Sequence, residues 1–522
     1  MGLKDIQKVE QKALQQQTQF VRFGLTFFFM AGILLYVYLI SKGVHGSIVL
    51  LAASVIGGYM AMNIGANDVA NNVGPAVGSK AITLFWAIVI AAIFEAAGAL
   101  IAGGEVVSTI KNSIIDPSKI ADNKTFIWLM VSALLAGAVW LNLATLFGAP
   151  VSTTHSIVGG VLGAGIAAGG FAIANWDKMG AIAASWIISP VLGGVIAAGF
   201  QLFIKKKIIY QHDMLQAANK FVPILIALMA WAFSTYLALK GLKQIWKLDF
   251  LTASLIGLGI AIAFYLIVKP RIARKSLGAK NDRESVNNLF TIPLIFAAAL
   301  LSFAHGANDV ANAIGPLAAI SDAIQNGGIS SKAPIPLWIM MIGALGISLG
   351  LLLFGPKIIK TVGGEITELD KSRAFCVAMA AAITVIIASQ LGLPVSSTHI
   401  AIGGIFGVGF LREYLKTSYA NQLQNMLEDH EGEEKVRLQK FLENFQNASV
   451  EEMEKMLKKA KKQKTELGLK KSERKQMKKL YSEKLVKRSA VKKIVAAWII
   501  TVPASASLAA GVFYMLHDLP LG

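Results

Sequence analysis

The sequence predicts an all-α polytopic membrane protein made of two inverted-topology repeats. Hydrophobic residues make up 55% of its 522 residues and charged residues only 16%. The mean hydropathy is +0.58, and such a composition is typical of chains with many membrane spans. Two motifs also occur twice, in the same order. We therefore expect broken helices or helical hairpins at the bilayer midplane, with an extra N-terminal transmembrane helix and a charged helical insertion.

Two duplicated motifs define the repeats. The first, GANDVANNVGP at 65–75, recurs as GANDVANAIGP at 306–316, and each copy ends an apolar run. The second, GAPVSTTH at 148–155, recurs as GLPVSSTH at 392–399. The offsets, 306 − 65 = 241 and 392 − 148 = 244, indicate one ancestral unit used twice. Charge at membrane depth costs about 2.5–3.5 kcal/mol per residue on insertion scales, so the carboxylates of the first motif indicate a functional site.

Both motifs resemble those of the inorganic phosphate transporter family, and the resemblance covers about 47–513 of the chain. It implies a secondary transporter with inverted repeats that moves inorganic phosphate together with sodium ions or protons. It also implies a homodimer. We expect no enzyme activity and no cofactor, with sodium as a possible co-substrate.

The hydropathy and charge patterns divide the chain into six segments. They are an N-terminal polar segment with an added transmembrane helix (1–46), a first transport repeat (47–204), a connector with two transmembrane helices (205–288), the first part of a second transport repeat (289–410), a charged cytoplasmic helical insertion (411–493), and the final helix of the second repeat with the C-terminus (494–522). The insertion carries apolar residues at helical spacing and a capping-box pattern at 449–452. We interpret it as solvated amphipathic helices, with partner binding or anionic-lipid sensing as the alternative.

The positive charge predicts the orientation in the cytoplasmic membrane. The net charge of +19 lies in short loops and in the insertion, which favours the cytoplasmic face over nucleic-acid binding. The basic clusters at 205–207 and 269–283 have two predicted spans between them and so fall on one side. We expect the N-terminus inside and the C-terminus outside. This parity requires a net crossing at each of the Ser152 and Ser396 regions, which makes the repeats inverted.

Phosphate binding needs hydrogen-bond donors, and the first turn of a helix supplies unpaired N–H groups and the positive end of the helix dipole. Pro150 and Pro394 are well placed for two such first turns. The predicted phosphate-binding residues are the hydroxyls that follow them: Ser152, Thr153, Thr154, Ser396, Ser397 and Thr398. Helix capping alone is the alternative, although one hydroxyl per helix would satisfy it.

An anion in a low-dielectric site needs accompanying cations, and Asp and Asn oxygens are hard ligands that suit them. The predicted cation-binding residues, for sodium or a proton, are Asn67, Asp68, Asn308 and Asp309. Sodium would also use backbone carbonyl oxygens, whereas proton coupling needs only a carboxylate. The sequence leaves both open. Asn71, Asn72 and Asn312 are expected either to ligate or to hold the helix breaks together.

Glu95 lies in the apolar run 86–102, where an unpaired carboxylate is costly. We expect it either to act in substrate or proton handling or to hydrogen-bond between helices. The family that the motifs resemble often has a second carboxylate in the matching part of the other half. We locate that part at 375–379, which is uncharged here. His155 and His399 are expected to be hydrogen-bonded supports.

Three other functions are alternatives to phosphate symport. A symporter of another tetrahedral oxyanion, or of a metal–phosphate complex with protons, would use the same hydroxyls and helix dipoles. A channel would need a continuous pore, which paired broken helices with carboxylates suit less well. An enzyme would need a nucleophile in a context such as G-x-S-x-G, which these motifs lack.

Overall fold

The computed structural model describes residues 3–146, 151–241, 248–326, 335–365, 369–414, 432–447, 456 and 488–521. Within these ranges all regular elements are helices and there is one isolated β-bridge, which confirms the predicted all-α class. Eleven helical segments of the described chain are long and apolar enough to cross a membrane. The helices are α1 Leu3–Ile40, α2 Ser47–Asn67, α3 Val69–Gly78, α4 Leu84–Ala102, α5 Gly104–Asn112, α6 Asn123–Leu146, α7 Thr153–Gly169, α8 Trp176–Ile204, α9 Met214–Gly241, α10 Phe250–Ser276, α11 Arg283–Leu289, α12 Thr291–Asn326, α13 Leu337–Glu365, α14 Lys371–Gln390, α15 Ser397–Tyr414, α16 Gly432–Asn447 and α17 Arg488–Leu516.

Helix α12 lies at the centre of the protein and α10 at its edge. In the most apolar 18-residue stretch of α12, 89% of the residues are buried. In the corresponding stretch of α10 only 17% are buried, and this helix exposes a continuous apolar surface. Both sequences are rich in apolar residues on all sides, as expected for helices in a bilayer, where only the helix satisfies every backbone group internally. The polar residues of the second copy of the first motif are therefore held in the most enclosed helix.

The loops gather at two ends of the helices. At one end, which we call the basic face, Met214 N donates to Asn281 Oδ1 (2.9 Å) and Ser372 N donates to Asn287 Oδ1 (3.0 Å). At the opposite face, Asp116 N donates to Ile173 O (2.8 Å). Helix α8 runs between the two faces, and its 29 residues span about 44 Å at 1.5 Å per residue. Both predicted basic clusters lie at the basic face.

The Ser152 and Ser396 regions belong to two helical hairpins. Helix α6 begins and helix α7 ends at the opposite face, because the loop before α6 is hydrogen-bonded to the segment after α7. Helix α14 begins at the basic face and α15 returns toward it beside α8, with Gly407 against Gly194. The two tips meet halfway along α12. The predicted membrane crossing at each of the Ser152 and Ser396 regions is therefore wrong, because each region is one leg of a hairpin. The two basic clusters still fall on one face, because the two legs of a hairpin return the chain to the face from which it came.

The two repeats are inverted copies, and four glycine contacts display the pseudo-twofold symmetry. A methyl group added at Gly65 would collide with the Ile347 carbonyl oxygen, and one at Gly306 with the Glu95 carbonyl oxygen. Likewise Gly98 lies against Phe303 O and Gly350 lies against Met62 O. These pairs are equivalent, because 65 + 241 = 306, 62 + 241 = 303, 95 + 252 = 347 and 98 + 252 = 350. Helix pairs α2–α13 and α12–α4 therefore cross in the same way.

The first motif breaks its helix less than expected. Between α2 and α3 the helix loses its regular pattern only at Asp68, whose φ of −85° and ψ of −34° remain helical. The second copy lies within an unbroken α12, and Pro316 sits inside that helix as Pro75 does inside α3. The prediction of a helix break at each GANDVAN motif is wrong for α12. The interrupted backbone lies instead at the two hairpin tips.

The added elements surround the repeats. Helix α1 packs on α2, with Ile33 against Gly58, and exposes most of its other described side chains. Helices α9 and α10 pack on each other, and Trp231 Nε1 donates to Ser254 O (3.0 Å). Of the 411–493 insertion, helix α16 is described, with Leu438 and Leu442 buried. The predicted capping box at 449–452, and the start of the second motif at 148–150, lie outside the described residues.

Candidate functional site

The two hairpin tips contact each other across the pseudo-twofold axis. Thr154 Oγ1 donates to Val395 O (3.0 Å), so the tip of the first hairpin rests on the tip of the second. The rings of His155 and His399 meet edge to face, with centroids 4.9 Å apart. All six hydroxyl residues that the sequence singled out are no more than 8% exposed. The structure therefore brings both predicted hydroxyl stretches to one enclosed place.

One hydroxyl in each tip caps its helix. Ser152 Oγ accepts a hydrogen bond from His155 N (3.2 Å), and Ser396 Oγ accepts one from His399 N (3.3 Å). Such caps satisfy N–H groups that have no partner inside the helix. Pro394 lies three residues before α15, so its expected place in the first helical turn is wrong. Capping explains only Ser152 and Ser396, which leaves the other four hydroxyls to be accounted for.

Two asparagines of the first motif brace the opposite hairpin. Asn71 Nδ2 donates to Thr398 Oγ1 (2.9 Å), and Asn312 Nδ2 donates to Thr154 Oγ1 (3.0 Å). The two bonds are symmetry equivalents, because 71 + 241 = 312 and 154 + 244 = 398. Each joins residues from different repeats. These bonds support the hairpin tips rather than a break in the asparagines' own helices, and ligand binding by Asn71 and Asn312 stays a prediction.

Asn308 fixes the tip of the second hairpin. Its Nδ2 donates to Ser389 Oγ (3.0 Å) and Leu393 O (3.1 Å), and its Oδ1 accepts from Val395 N (3.2 Å). These bonds satisfy backbone groups where the chain turns between α14 and α15. The amide oxygen keeps one lone pair, so cation binding by Asn308 stays a prediction. Asn67, its counterpart, is half-buried at the end of α2.

A buried cluster of ionisable side chains lies beside the tips. Asp68, Asp309 and His305 each place one ligand atom within 4.8 Å of the others. His305 Nε2 is 3.0 Å from Asp309 Oδ2, and Thr153 Oγ1 donates to Asp68 Oδ2 (2.9 Å). The two aspartates, 241 residues apart in sequence, thus lie together as the inverted repeat requires. The hydroxyl of Thr153 joins this cluster to the first hairpin tip.

Glu95 connects three helices at this cluster. Its Oε1 accepts from Asn72 Nδ2 (2.9 Å) on α3, and its Oε2 is 2.7 Å from His305 Nδ1 on α12. Both side chains of the Glu95–His305 pair are fully buried. Hydrogen bonding between helices, one of the two roles expected for Glu95, is therefore present. A chain of contacts runs from Asn72 through Glu95 and His305 to Asp309.

Sequence reasoning missed His305. It directly precedes the second copy of the first motif and ends an otherwise apolar run. The equivalent position in the first repeat is Ile64, since 305 − 241 = 64. The available signal was a single ionisable residue at the end of an apolar run, with an apolar counterpart in the other repeat.

The structure also corrects the counterpart of Glu95. The glycine contacts make Ile347 its symmetry equivalent, rather than a residue within 375–379. The latter stretch lies in α14, a leg of the second hairpin, whereas Glu95 lies in α4. In the other half, Ile347 and Ile64 thus occupy the positions equivalent to Glu95 and His305. The two halves share the aspartates and hydroxyls but differ in this ionisable pair.

The hydroxyls at equivalent positions also differ in their partners. Thr153 Oγ1 donates to Asp68 and accepts from Asn312 Nδ2 (3.2 Å). Its equivalent, Ser397, has a buried Oγ with no hydrogen-bond partner, and Asp309 Oδ1 is likewise buried and unpartnered. Buried polar atoms are nearly always bonded. Ser397 Oγ at the second tip and Asp309 Oδ1 beside it are therefore polar atoms of this site that remain available for a ligand.

His155 contributes packing rather than hydrogen bonds. Neither of its ring nitrogens has a partner, so the prediction of a hydrogen-bonded support is wrong for this ring. It packs instead against Trp186 of α8, with centroids 4.0 Å apart and ring planes tilted by 40°, and Trp186 Nε1 donates to Pro394 O (3.0 Å). The histidine–tryptophan contact thus holds α7, α8 and the second tip together.

Comparison with known proteins gives consistent similarities. Residues 64–509 match the family described as "Phosphate transporter family". A "Putative phosphate permease" of Helicobacter pylori (strain ATCC 700392 / 26695) is 51% identical over 526 residues, which cover 99% of each chain. One from Pyrococcus furiosus is 40% identical over 365 residues, covering 70% of this chain and 88% of the relative. A solved structure described as "The sodium-dependent phosphate transporter" is 31% identical, has a TM-score of 0.73, and is matched over 90% of this chain and 99% of its own.

Proposed function

Because the chain belongs to the phosphate transporter family, we propose that it is a sodium-coupled symporter that imports inorganic phosphate across the cytoplasmic membrane by alternating access. Family membership confirms the predicted phosphate transporter, a multi-pass membrane protein and not an enzyme. The coupling ion, the mechanism and the ligand roles of single residues are the proposal. A homodimer stays a prediction from the resemblance.

The meeting of the two hairpin tips is the observation that carries the proposal. The N-terminal turns of α7 and α15 bring their hydroxyls together, and such turns favour an anion through unpaired N–H groups and the helix dipole. Ser397 Oγ is buried and has no protein partner, so it is free to donate to a phosphate oxygen. We assign phosphate to the space between the tips. Ser152, Thr153, Thr154, Ser396, Ser397 and Thr398 form its surroundings.

Sodium as the co-substrate is supported by the aspartate pair. Two carboxylates within 4.8 Å of each other repel one another and an incoming phosphate, so a bound cation stabilises all three. Their oxygens are hard ligands suited to sodium, and Asp309 Oδ1 is free to ligate it. The similar solved transporter is described as sodium-dependent. Asp68 and Asp309 are the sodium ligands in this proposal, next to the phosphate.

Alternating access is supported by the burial of the site. Asp68, Asp309 and the six hydroxyl residues are all at most 8% exposed, so a ligand reaches them only after helices move. An open channel would expose part of such a path. The inverted repeats supply two similar hairpins that approach the site from opposite faces, and exchange between two related arrangements is the usual outcome of this symmetry.

The orientation follows from the basic face. We assign this face to the cytoplasm, because short loops rich in Lys and Arg remain inside. The N-terminus is then inside. The C-terminus is outside, since Trp128 Nε1 at the start of α6 donates to Leu519 O (3.1 Å) at the opposite face. From here on, the opposite face is called the outer face.

Titration calorimetry of purified protein tests the coupling. Phosphate is titrated with and without sodium, and sodium with and without phosphate. Coupling free energies are typically about 1–3 kcal/mol, so each ligand should tighten the other by roughly 5–150-fold. Asp68→Asn and Asp309→Asn should weaken this effect while leaving residual phosphate binding. Asp249→Asn, at the exposed start of α10, is the control. Wild-type sodium dependence in both site variants would contradict the assignment.

A further inference from the structure

We propose that helix α5 is the outer gate of the transport site and that a buried ion pair, Lys111–Asp322, latches it closed. The inference rests on the proposed function. Lys111 Nζ is 2.8 Å from Asp322 Oδ2, and the two side chains are 4% and 6% exposed. Lys111 is the only buried Lys or Arg in the described part of the chain. This pair lies outside the cluster at Asp68 and Asp309 and has no part in the transport site itself.

Helix α5 is short, and ion pairs hold both its ends. It comprises nine residues and follows α4 after Gly103. At its start, Glu105 Oε1 is 3.2 Å from Lys240 Nζ at the end of α9. At its end, Lys111 pairs with Asp322 near the end of α12. Charged pairs at both ends fix the position of a helix that is too short to be stable by itself.

The middle of α5 touches the second hairpin tip. Thr109 Oγ1 donates to Gly392 O (2.7 Å), in the turn that leads to Ser396 and Ser397. On its other side, α5 packs against α12, where a methyl group added at Gly315 would lie 2.6 Å from Ile110. The helix thus fills the space between α12 and the tip.

The latch lies on the outer side of the site. Asp322 is 13 residues beyond Asp309 on α12 (322 − 309), which corresponds to about 20 Å along the helix axis. Asn123 Nδ2, at the outer start of α6, donates to the neighbouring Ala323 O (2.7 Å). A ligand that approaches the tips from the outer face beside α12 therefore meets α5 first.

The latch has no mirror image at the basic face. The equivalent of Asp322 is Ala81 (322 − 241), which carries no charge, and the offset of 252 that relates α4 to α13 makes Gly363 the equivalent of Lys111 (111 + 252). The ion pair thus distinguishes the outer gate from the inner one, although the repeats share their overall design.

The physical reason for a latch is the cost of an unpaired buried charge. While α5 is closed, each of the two charges has the other as its oppositely charged partner, and Asp322 Oδ1 also accepts a hydrogen bond from Asn326 Nδ2 (2.5 Å). Removing one partner leaves the other buried and uncompensated, which penalises the closed state. When α5 moves outward, water solvates the remaining charge and the penalty disappears. Loss of either partner should therefore shift the protein toward the outward-open state.

Cysteine accessibility measures that shift. In the full chain with Cys376→Ala, Leu393→Cys places a reporter beside Gly392 in the tip. A membrane-impermeant maleimide is applied to proteoliposomes or cells from the outer side, without phosphate. Lys111→Met and Asp322→Asn should each accelerate labelling about tenfold or more, because each leaves one uncompensated buried charge. Thr109→Val, which removes the bond to Gly392, should act in the same direction and serves if a charge variant fails to fold.

Two comparisons separate a latch from other roles. The charge-exchanged double variant Lys111→Asp/Asp322→Lys should restore slow labelling. Lys119→Met breaks an exposed pair with Asp116 (3.7 Å) at the same face and should leave labelling unchanged. Unaltered labelling in both Lys111→Met and Asp322→Asn would overturn the latch, as would a double variant that labels as fast as the single ones. Labelling needs no substrate, so these results do not depend on whether phosphate or sodium binds as proposed.

Discussion

Ser397 offers the sharpest separation of ligand binding from protein stability. Its Oγ is buried at the second hairpin tip and has no protein partner. Removing a buried hydroxyl that has no partner is nearly neutral or stabilising. We therefore expect the apparent melting temperature of Ser397→Ala in detergent to match or exceed that of the wild type.

Phosphate affinity should respond in the opposite way. A hydrogen bond to a charged group contributes about 1.5–3 kcal/mol, so loss of the Ser397 hydroxyl should weaken phosphate binding roughly 10–150-fold at saturating sodium. The equivalent change, Thr153→Val, should lower both affinity and stability, because this hydroxyl donates to Asp68 and accepts from Asn312. The two halves of the site should thus respond differently to the same chemical change.

The assay combines phosphate calorimetry with thermal unfolding of the same preparations. Ser189→Ala is the matched control, because Ser189 Oγ is also buried and unpartnered but lies on α8, which belongs to neither hairpin. Wild-type phosphate affinity in Ser397→Ala, with stability retained, would refute the assignment of phosphate to the space between the tips. A drop in affinity of Ser189→Ala as large as that of Ser397→Ala would show that the effect is not specific.

Two further predictions concern the helices that position the site. Glu95→Ala leaves Asn72 Nδ2 and His305 Nδ1 without this partner. Because each buried unsatisfied group costs about 1–3 kcal/mol, we expect a clearly lower melting temperature. An unchanged melting temperature would contradict the role of Glu95 in connecting the helices. Gly306→Ala should destabilise the protein by about 1–3 kcal/mol through overpacking, because the added methyl group meets the Glu95 backbone. Gly104→Ala is the control, because its methyl group enters open space and should be tolerated. Equal melting temperatures of the two variants would refute the close approach of α12 to α4.

The sequence predicted what is duplicated and missed what is asymmetric. Repetition of both motifs was sufficient to place Asp68 near Asp309 and one hairpin tip near the other, because inverted repeats bring equivalent residues to a common axis. His305 has an isoleucine as its counterpart, so no repetition marked it. The ion pair of Lys111 and Asp322 joins residues 211 positions apart (322 − 111) with no motif at either one.

Local chemistry also decided details that patterns do not specify. Pro394 has a φ suited to a first helical turn, yet α15 begins three residues later because Ser396 caps it. Asp68 interrupts the pattern of its helix while the equivalent Asp309 does not. Such differences depend on packing against the neighbouring hairpin, which a single sequence does not contain.

Sodium-driven accumulation of phosphate is the most direct test of sodium-coupled phosphate import. Purified protein is reconstituted in proteoliposomes, and radioactive phosphate uptake is measured under an inward sodium gradient alone and under an inward proton gradient alone. Sodium coupling predicts accumulation with the sodium gradient, none with the proton gradient, and loss of sodium-driven uptake in Asp309→Asn. Accumulation driven by protons in the absence of sodium, or full sodium-driven uptake by Asp309→Asn, would contradict it.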